Sequence, residues 1–555
     1  MIIRAEAKNI FAKMQADQAG DFPCAGRGTC CKCKIRVIDG LLSEPTMMDR
    51  RAFSDQELTQ GYRLACCLRG DQEVEAAYLS PQTKGPQDLE ILSEGKLEGW
   101  DWNPVIKVNP LDQHLYFDSI DLGYLTPGKS ITCLAVDIGT TTIVVSLIDL
   151  THHLEMGVET AVNPQIVYGQ DVMSRLSSGQ NDPQNFVKMQ EQVLHTIEDL
   201  GKSLLMANGY EVTDLYGIFV ASNAVMNHIL LGFSPLPLGF APYPLQFEGK
   251  FIKTFKDLNL ELFGSGYLVC LENISAYVGG DVMAGIISTQ LGQSKETELL
   301  VDIGTNGEMV LARQGKYYST SCAAGPALEG MNIACGMMAQ AGAIEEARFV
   351  NGRLRIQTIL RQKPRGICGS GILALIREFL KVGLITSRGR IADPDQIDSR
   401  YKDYIAEDRS CLWVDNKREI YISQKDIRQI QMAKGAILSG VQCLLAESQT
   451  EATEVDKVLI AGQFGSHVSQ ASLLGIEMIP QAFLEKIDYV GNTSKTGAMI
   501  TGLSQACYSK TQDLLTSFYQ IDLSSIPGYD RIFAKACLFP KLEEDQTHEI
   551  KTSSS

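Results

Sequence analysis

A chain of 555 residues exceeds what one hydrophobic core organises, and its length predicts about three or four domains. Hydrophobic residues make up 45% of it and charged residues 21%, an ordinary soluble composition with ample material for a core. The net charge of −16, with no dense Lys/Arg block, argues against nucleic acid or an anionic membrane as partner.

The opening Met1-Ile2-Ile3-Arg4-Ala5-Glu6 lacks the long apolar run of a secretion signal. No stretch reaches the roughly 20 apolar residues that span a bilayer, so the expected location is the cytoplasm. Asn9 to Gly20 reads as a helix. Cys24-Ala25-Gly26-Arg27-Gly28-Thr29-Cys30-Cys31-Lys32-Cys33 then sets a C-x5-C-x2-C spacing. Ala25 to Thr29 would wrap a compact anionic cluster with amides aimed at its sulfides. Thiolate-held iron–sulfur sites are built this way, with a plant-type spacing one residue shorter in the first gap. A structural zinc site or idle thiols are the alternatives, but zinc sites typically use two separate C-x2-C pairs. Here three ligands come from one loop. Most of the remaining cysteines are scattered singly, as in Val269-Cys270-Leu271, and read as small core residues. Disulfides are not expected.

This segment resembles a ferredoxin-like [2Fe–2S] domain. The resemblance implies that Gly61-Tyr62-Arg63-Leu64-Ala65-Cys66 is the strand delivering the fourth ligand, giving Cys24, Cys30, Cys33 and Cys66 as the iron-binding set. Neighbouring strand residues face opposite ways, so Cys67 is set aside. Cys31 stands where the family usually has glycine, and the chain starts late, leaving little room for a first hairpin.

From Tyr78 to about Ser130 the signal thins. Pro81, Pro86, Pro104, Pro110 and Pro127 punctuate a stretch that reads as a linker holding at most a small folded unit. Asp112-Gln113-His114 opens like a cobalt-ligating D-x-H-x-x-G signature, but position 117 is Phe. A surface histidine is the better reading, and no cobalamin is expected on this chain.

Val136-Asp137-Ile138-Gly139-Thr140-Thr141-Thr142-Ile143 returns as Val301-Asp302-Ile303-Gly304-Thr305-Asn306-Gly307-Glu308. Each copy reads as an apolar strand, a tight turn of small polar residues and a second apolar strand. Glycine permits the sharp turn and leaves amide N–H groups for an anion. The Asp entering each turn is a hard oxygen ligand suited to Mg²⁺. Two such hairpins facing each other across a cleft would clasp a triphosphate. Val458-Leu459-Ile460-Ala461-Gly462-Gln463-Phe464-Gly465 runs a further apolar strand into a glycine turn, with a helix expected through Ser469 to Leu474. Gly366-Ile367-Cys368-Gly369-Ser370-Gly371 opens another helix, which either meets nucleotide oxygens or packs closely.

The paired hairpins resemble the phosphate motifs of the superfamily of actin, sugar and acetate kinases and heat-shock chaperones, and the repeat agrees with subdomain duplication. Asn163-Pro164-Gln165, Tyr168-Gly169-Gln170-Asp171-Val172, Ser222-Asn223-Ala224-Val225-Met226-Asn227-His228, Tyr277-Val278-Gly279-Gly280-Asp281-Val282 and Cys322-Ala323-Ala324-Gly325-Pro326-Ala327-Leu328-Glu329-Gly330 are similar to the reductive activators of corrinoid proteins. That resemblance implies a multidomain α/β chain. A ferredoxin-like [2Fe–2S] domain spans 1–80 and a linker or shortened middle region 81–130. Actin-like ATPase subdomains follow at 131–290 and 291–540, the second including a C-terminal return, and a disordered tail ends the chain at 541–555.

In function it implies ATP-dependent one-electron reduction of an inactive Co(II) corrinoid methyltransferase protein to Co(I). Asp137 and Asp302 would hold Mg²⁺, and Asp302 or Glu308 would orient the attacking water, although Glu308 reads nearly as well as a solvated strand end. Gly139, Thr140, Thr141 and Thr142 with Gly304, Thr305, Asn306 and Gly307 would cradle the phosphates of ATP. Gly462 and Gly465 would border the adenosine. The partners implied are a corrinoid protein and an upstream low-potential donor, with a homodimer among the assemblies allowed. Donation to a dehydratase or reductase, a small-molecule kinase and an ATP-sensing redox regulator are the alternatives.

Overall fold

The computed structural model describes residues 2–16, 33–40, 43–53, 55–78, 100–462 and 468–541. The expected tail from 542 onward and the first part of the expected linker lie outside them. No helix among the described residues is long and apolar enough to cross a membrane.

At the N-terminus, β1 (Ile2–Glu6), β2 (Lys34–Asp39), β3 (Tyr62–Leu64) and β4 (Glu73–Tyr78) form an antiparallel sheet in the order β1-β4-β2-β3. In β2, Ile35 and Val37 are buried while Arg36 is exposed, the period-two pattern of a sheet with one wet face. Ile10 and Met14, one turn apart on the helix Ile10–Ala16, close the other side of that core. β1 pairs with β4 and not with a neighbour in sequence, so no opening hairpin occurs among the described residues.

From Trp100 onward the stretch expected to be linker is folded. β5 (Ile106–Val108), β6 (His114–Phe117) and β7 (Ile120–Tyr124) make a three-stranded antiparallel meander. Phe117 is fully buried, its ring 6.3 Å from Phe219 and 4.9 Å from Tyr267. The prolines here sit before strands and in turns, where no ladder hydrogen bond is lost. His114 donates to the Asp121 carboxylate at 2.9 Å and is partly exposed.

Two six-stranded sheets build the body. The first contains β8 (Thr132–Ile138), β9 (Thr142–Asp149), β10 (Leu154–Val162), β11 (Leu215–Ser222), β12 (Phe251–Thr254) and β13 (Tyr267–Cys270), ordered β10-β9-β8-β11-β13-β12. The second begins with β14 (Glu298–Ile303), β15 (Gly307–Arg313) and β16 (Lys316–Cys322). A small sheet of β17 (Ala343–Val350), β18 (Arg353–Thr358) and β19 (Gly366–Ile367) and a ribbon of β20 (Cys411–Trp413) and β21 (Tyr421–Ser423) intervene. The second sheet is then completed by β22 (Lys457–Ala461), β23 (Ile487–Gly491) and β24 (Phe518–Gln520), ordered β23-β22-β14-β15-β16-β24.

The connectivity repeats. In each sheet three strands form an antiparallel meander, and two later strands join in parallel on the far side of the first, giving β10-β9-β8-β11-β13 and β16-β15-β14-β22-β23. The repeated V-D-I-G-T motif therefore marks equivalent central strands. Both are buried on two faces: Leu134, Val136 and Ile138 enter one core and Cys133 and Ala135 another, as continuous apolar runs require.

Helices Gly280–Thr289 and Thr493–Leu503 cross between the lobes and pack on each other. At Gly497 a Cβ would stand 2.2 Å from the Ala284 carbonyl oxygen, so glycine alone permits this approach. The second helix follows β23 of the second sheet yet lies against β8 and β11 of the first. Each lobe thus contributes a helix to the crossing.

Candidate functional site

The two hairpins turn in loops of different length, Ile138 pairing with Ile143 in the first and Ile303 with Gly307 in the second. Gly139 N–H donates to Thr142 O at 2.9 Å, and Gly304 N–H donates to Asn306 O at 2.9 Å. Between them lies a cavity of about 190 Å³ lined by Asp137, Gly139, Thr140, Thr141, Thr142, Asp302, Gly304, Thr305, Asn306, Glu308 and Gly462, all expected from the sequence. Gly307 does not line it. A Cβ there would stand 2.3 Å from Ile437 Cδ1 and 2.8 Å from Cys322 Sγ, so this glycine admits the helix Gln424–Glu447 instead of a phosphate. Gly465 lies outside the described residues.

The first hairpin is held from behind. Asn163 Nδ2 donates to Gly139 O at 2.7 Å, Arg175 Nη2 to Thr140 O, and Asn163 N–H to Thr141 O at 2.8 Å. A trans peptide points its N–H opposite to its C=O. Drawing the Gly139 and Thr140 carbonyls back therefore turns the amides of Thr140 and Thr141 toward the cavity. Arg175 is fully buried, with Nε on Gly169 O and Nη1 on Gln165 Oε1, both at 2.9 Å. The N-P-Q and Y-G-Q-D-V segments are the bracket for this loop.

Electrostatics set the site apart. Its described lining carries five carboxylates, Asp137, Asp281, Asp302, Glu308 and Glu329, and no Lys, Arg or His. Burial pushes the Asp302 carboxyl up to about 7, reinforced by the charges of Asp281 and Asp137. Asp137 is likewise raised by burial to about 7, against the opposing donation from Asn492 Nδ2 at 3.0 Å. Burial brings Asp281 to about 6 and holds Glu308 well above the usual range, with Asp281 and Asp302 adding to it. Carboxylates crowded this way repel one another, and a cation relieves them. Hard oxygen donors suit Mg²⁺, and the Cys368 thiol in the same lining is pushed up by burial. Metal ions would offset the repulsion between such a lining and a polyphosphate.

Asp302 and Glu308 sit directly opposite each other on β14 and β15. Gly462 has φ +88°, and a Cβ on it would stand 2.3 Å from Asp302 Oδ1. The third motif is therefore glycine because it closes onto the second. Gly369 and Ser370, opening the helix Gly369–Lys381, line the cavity, whereas a Cβ at Gly371 would meet Ile344 O at 2.0 Å. Close packing thus accounts for Gly371, while Gly369 faces the cavity.

Sequence reasoning missed Asp281, Glu329 and Asn492. The first two stood inside motifs already singled out, without a role. Glu329 accepts from Thr141 Oγ1 at 2.6 Å and from Thr305 Oγ1, one threonine from each hairpin. Asn492 is the N-cap of the crossing helix, where its side chain reads locally as a cap.

Of the expected iron ligands, Cys24 and Cys30 lie outside the described residues. Cys33 and Cys66 are buried with their sulfurs 3.3 Å apart. The strand expected to deliver Cys66 ends earlier: β3 stops at Leu64 and Ala65–Cys67 is one 3-10 turn. The Ala65 N–H donates to the Cys33 carbonyl at 2.8 Å. The turn brings Cys67 Sγ within 3.9 Å of Cys66 Sγ, so the two do not face opposite ways. Burial pushes the Cys67 thiol up to about 11.

Two family models match in succession: the RACo middle region over residues 132–294 and the C-terminal domain of RACo, the ASKHA domain, over residues 296–551. The chain is 30% identical over 392 residues, 68% of its length and 65% of the relative's, to the corrinoid activation enzyme RamQ of Eubacterium limosum. It is 26% identical over 261 residues, 42% of its length and 45% of the relative's, to the [Co(II) methylated amine-specific corrinoid protein] reductase of Methanosarcina barkeri. The chain thus spans less than two thirds of either relative. A shorter match, 46% over 62 residues and 10% and 14% of the two chains, is to one component of the Na(+)-translocating NADH-quinone reductase of Chlamydia trachomatis. A solved reductive activator for corrinoid, iron–sulfur protein superposes with a TM-score of 0.71 at 26% identity, covering 97% of this chain and 96% of that one.

Proposed function

The chain belongs to the RACo family, and we propose that it carries out ATP-dependent reductive activation of a corrinoid protein, returning inactive Co(II) to Co(I) by one-electron transfer. The observation that carries this reading is the cavity between two matching phosphate-type hairpins, whose described lining holds five carboxylates and no basic side chain. Such a lining suits a metal-bound polyanion. The relatives named for corrinoid activation and for a Co(II) corrinoid protein reductase supply the partner class, a corrinoid protein.

Cys33 and Cys66, with Cys24 and Cys30, would hold a [2Fe–2S] cluster, and the buried approach of the first two sulfurs fits that role. Such a cluster supplies one electron at a time, which matches a one-electron cobalt reduction and requires an upstream low-potential donor. Asp137 and Asp302 would hold Mg²⁺, which when bound offsets the charge of the nucleotide phosphates. The bracketed amides of Thr140 and Thr141 orient those phosphates, and Gly462 keeps the backbone thin beside Asp302. Glu308 or Asp302, whose carboxyls burial raises above the ordinary range, suits proton transfer from an attacking water.

Glu329 provides the link to conformational change. It occupies the threonine hydroxyls that a phosphate would use, so nucleotide and Glu329 compete for both lobes at once. A ligand shifts such an equilibrium only through differential binding to the two arrangements. That competition is the source of the differential binding here.

The test mixes anaerobically reduced protein with a Co(II) corrinoid protein, with and without ATP. A Co(I) absorption band that develops only with ATP supports the proposal. A zinc-loaded N-terminal domain, or a body indifferent to magnesium nucleotide, would refute it.

A further inference from the structure

The segment 348–365 carries Arg348, Arg353, Arg355, Arg361, Lys363 and Arg365 and no acidic residue, in a chain of net charge −16. All six side chains are exposed, and none forms an ion pair among the described residues. Strand pairing draws the cluster together. Arg348 lies directly opposite Arg355 in the β17–β18 ladder, a like-charge pair that weakens a sheet. The two acids that precede the segment on β17 form no ion pair with it: Glu346 pairs with Arg377 at 2.8 Å, and Glu345 accepts from Gln357 at 3.0 Å.

Two apolar side chains sit among these charges. Val350 is 44% exposed and Leu360 75% exposed. Leu360 and Arg361 both adopt positive φ, +54° and +53°, a region that bulky residues avoid. Unpaired like charges, an exposed leucine and a strained turn all oppose stability. Val350 sits at the hairpin tip opposite Arg353, and Leu360 lies past the far end of the ladder, two residues after the Thr358–Ile344 pair. Arginines beside exposed apolar side chains are enriched at protein interfaces.

This face is joined to the cavity. The Gly342 N–H donates to Ile359 O at 3.1 Å and the Arg365 N–H to Gly342 O at 2.9 Å. β19, immediately after Arg365, pairs with β17, and Met337 N–H donates to Ile367 O at 2.9 Å. Met338, Ala339 and Cys368, the next residues on those segments, line the cavity between the hairpins.

We propose that the solvent face of the β17–β18 hairpin and its following turn is a docking surface for an acidic patch on the corrinoid protein, resting on the function proposed above. Charge complementarity selects the occupant. The whole chain is acidic, so this basic face offers such a partner attraction in place of repulsion.

The test uses the full-length cluster-loaded protein, its Arg353→Glu/Arg355→Glu and Arg361→Glu/Lys363→Glu variants, and a Lys188→Glu/Lys202→Glu control on the other lobe. The probe is a cobalamin-loaded corrinoid protein poised as Co(II). Partner-free ATP turnover should match wild type in all of them, and none should melt at a lower temperature than wild type. The KM for the corrinoid protein should rise by about tenfold or more in the two hairpin variants and in wild type at high salt, but not in the control. Equal KM in hairpin variants and wild type overturns the docking surface while leaving the function intact. A wild type that reduces no Co(II) corrinoid protein overturns the function and this inference with it. Loss of self-association in sedimentation, or of binding to duplex DNA, with unchanged KM would assign the face to a second copy or to nucleic acid and overturn it equally.

Discussion

Thr141 of the first hairpin donates its hydroxyl to Glu329 of the second lobe at 2.6 Å, and Thr305 of the second hairpin donates to the same carboxylate. One acidic side chain thus ties both hairpins together where a phosphate would tie them. Burial raises the Glu329 carboxyl, while these threonines and the Arg175 charge oppose the rise.

Replacing Glu329 by Gln should therefore strengthen nucleotide binding, not weaken it. The variant removes an anion from the phosphate position and turns charge-assisted hydrogen bonds into neutral ones. The difference of about 1–2 kcal/mol corresponds to a Kd lower by about tenfold for magnesium nucleotide. Partner-stimulated turnover should fall, because the competition that separates the two arrangements is gone. Calorimetric titration decides it: unchanged or weaker affinity would remove Glu329 from this role.

Two glycines that look interchangeable as loop residues should behave oppositely. At Gly304 the nearest atom to an added Cβ is Asn306 O at 3.6 Å, whereas at Gly462 it is Asp302 Oδ1 at 2.3 Å with φ +88°. Gly304→Ala should leave the melting temperature near wild type. Gly462→Ala should cost about 1–3 kcal/mol and displace Asp302, abolishing the magnesium-dependent part of nucleotide binding. Similar melting and binding for both variants would contradict this geometry.

Burial also fixes a pH dependence. Asp137 and Asp302 have folded-state values of about 7 against an ordinary 3.8. Between those limits the folded state binds more protons than the unfolded one, so stability of the metal-free protein falls as pH rises. A cation must displace those protons and gains affinity over the same range. The rise in melting temperature on adding magnesium nucleotide should be larger at about pH 7.5 than at about pH 6. An equal or smaller rise at the higher pH would reject these two carboxylates as the ligands.

At the other end of the chain, Cys66 and Cys67 should separate cleanly. Cys66 lies 3.3 Å from Cys33, while the Cys67 thiol is pushed up to about 11. After anaerobic reconstitution, Cys66→Ser should lose the visible absorption of an iron–sulfur cluster and Cys67→Ser should retain it. The reverse pattern would exchange their roles.

What could be read from the sequence follows how local each feature is. Asp137 and Asp302 enter glycine turns within their own hairpins, so adjacent letters carry the chemistry. Glu329 and Asp281 reach the same cavity only after the two sheets close over it, and Asn492 arrives on a helix from the opposite lobe. Phe117 looks like an isolated aromatic among prolines until Phe219 and Tyr267 pack around it. Ala65–Cys67 escaped because the Ala65 N–H bonds back to Cys33, tightening into a turn what alternation suggested was strand. The basic bias of 348–365 is present in the sequence, but that Arg348 and Arg355 face each other follows only from register.

Asn163 tests whether the bracket behind the first hairpin serves nucleotide or only the fold. Its Nδ2 holds the Gly139 carbonyl at 2.7 Å, its N–H holds that of Thr141 at 2.8 Å, and its Oδ1 caps Gln165 N–H at 3.0 Å. Asn163→Ala keeps the backbone bond but removes the other two, at about 1–3 kcal/mol of stability. With the Gly139 carbonyl released, the Thr140 amide is no longer fixed toward the cavity, and nucleotide affinity should weaken by about tenfold. Asn163→Ser restores a capping oxygen on a side chain too short to reach the Gly139 carbonyl. It should recover most of the melting temperature and none of the affinity. Recovery of both would make Asn163 a capping residue alone and leave amide orientation to Arg175.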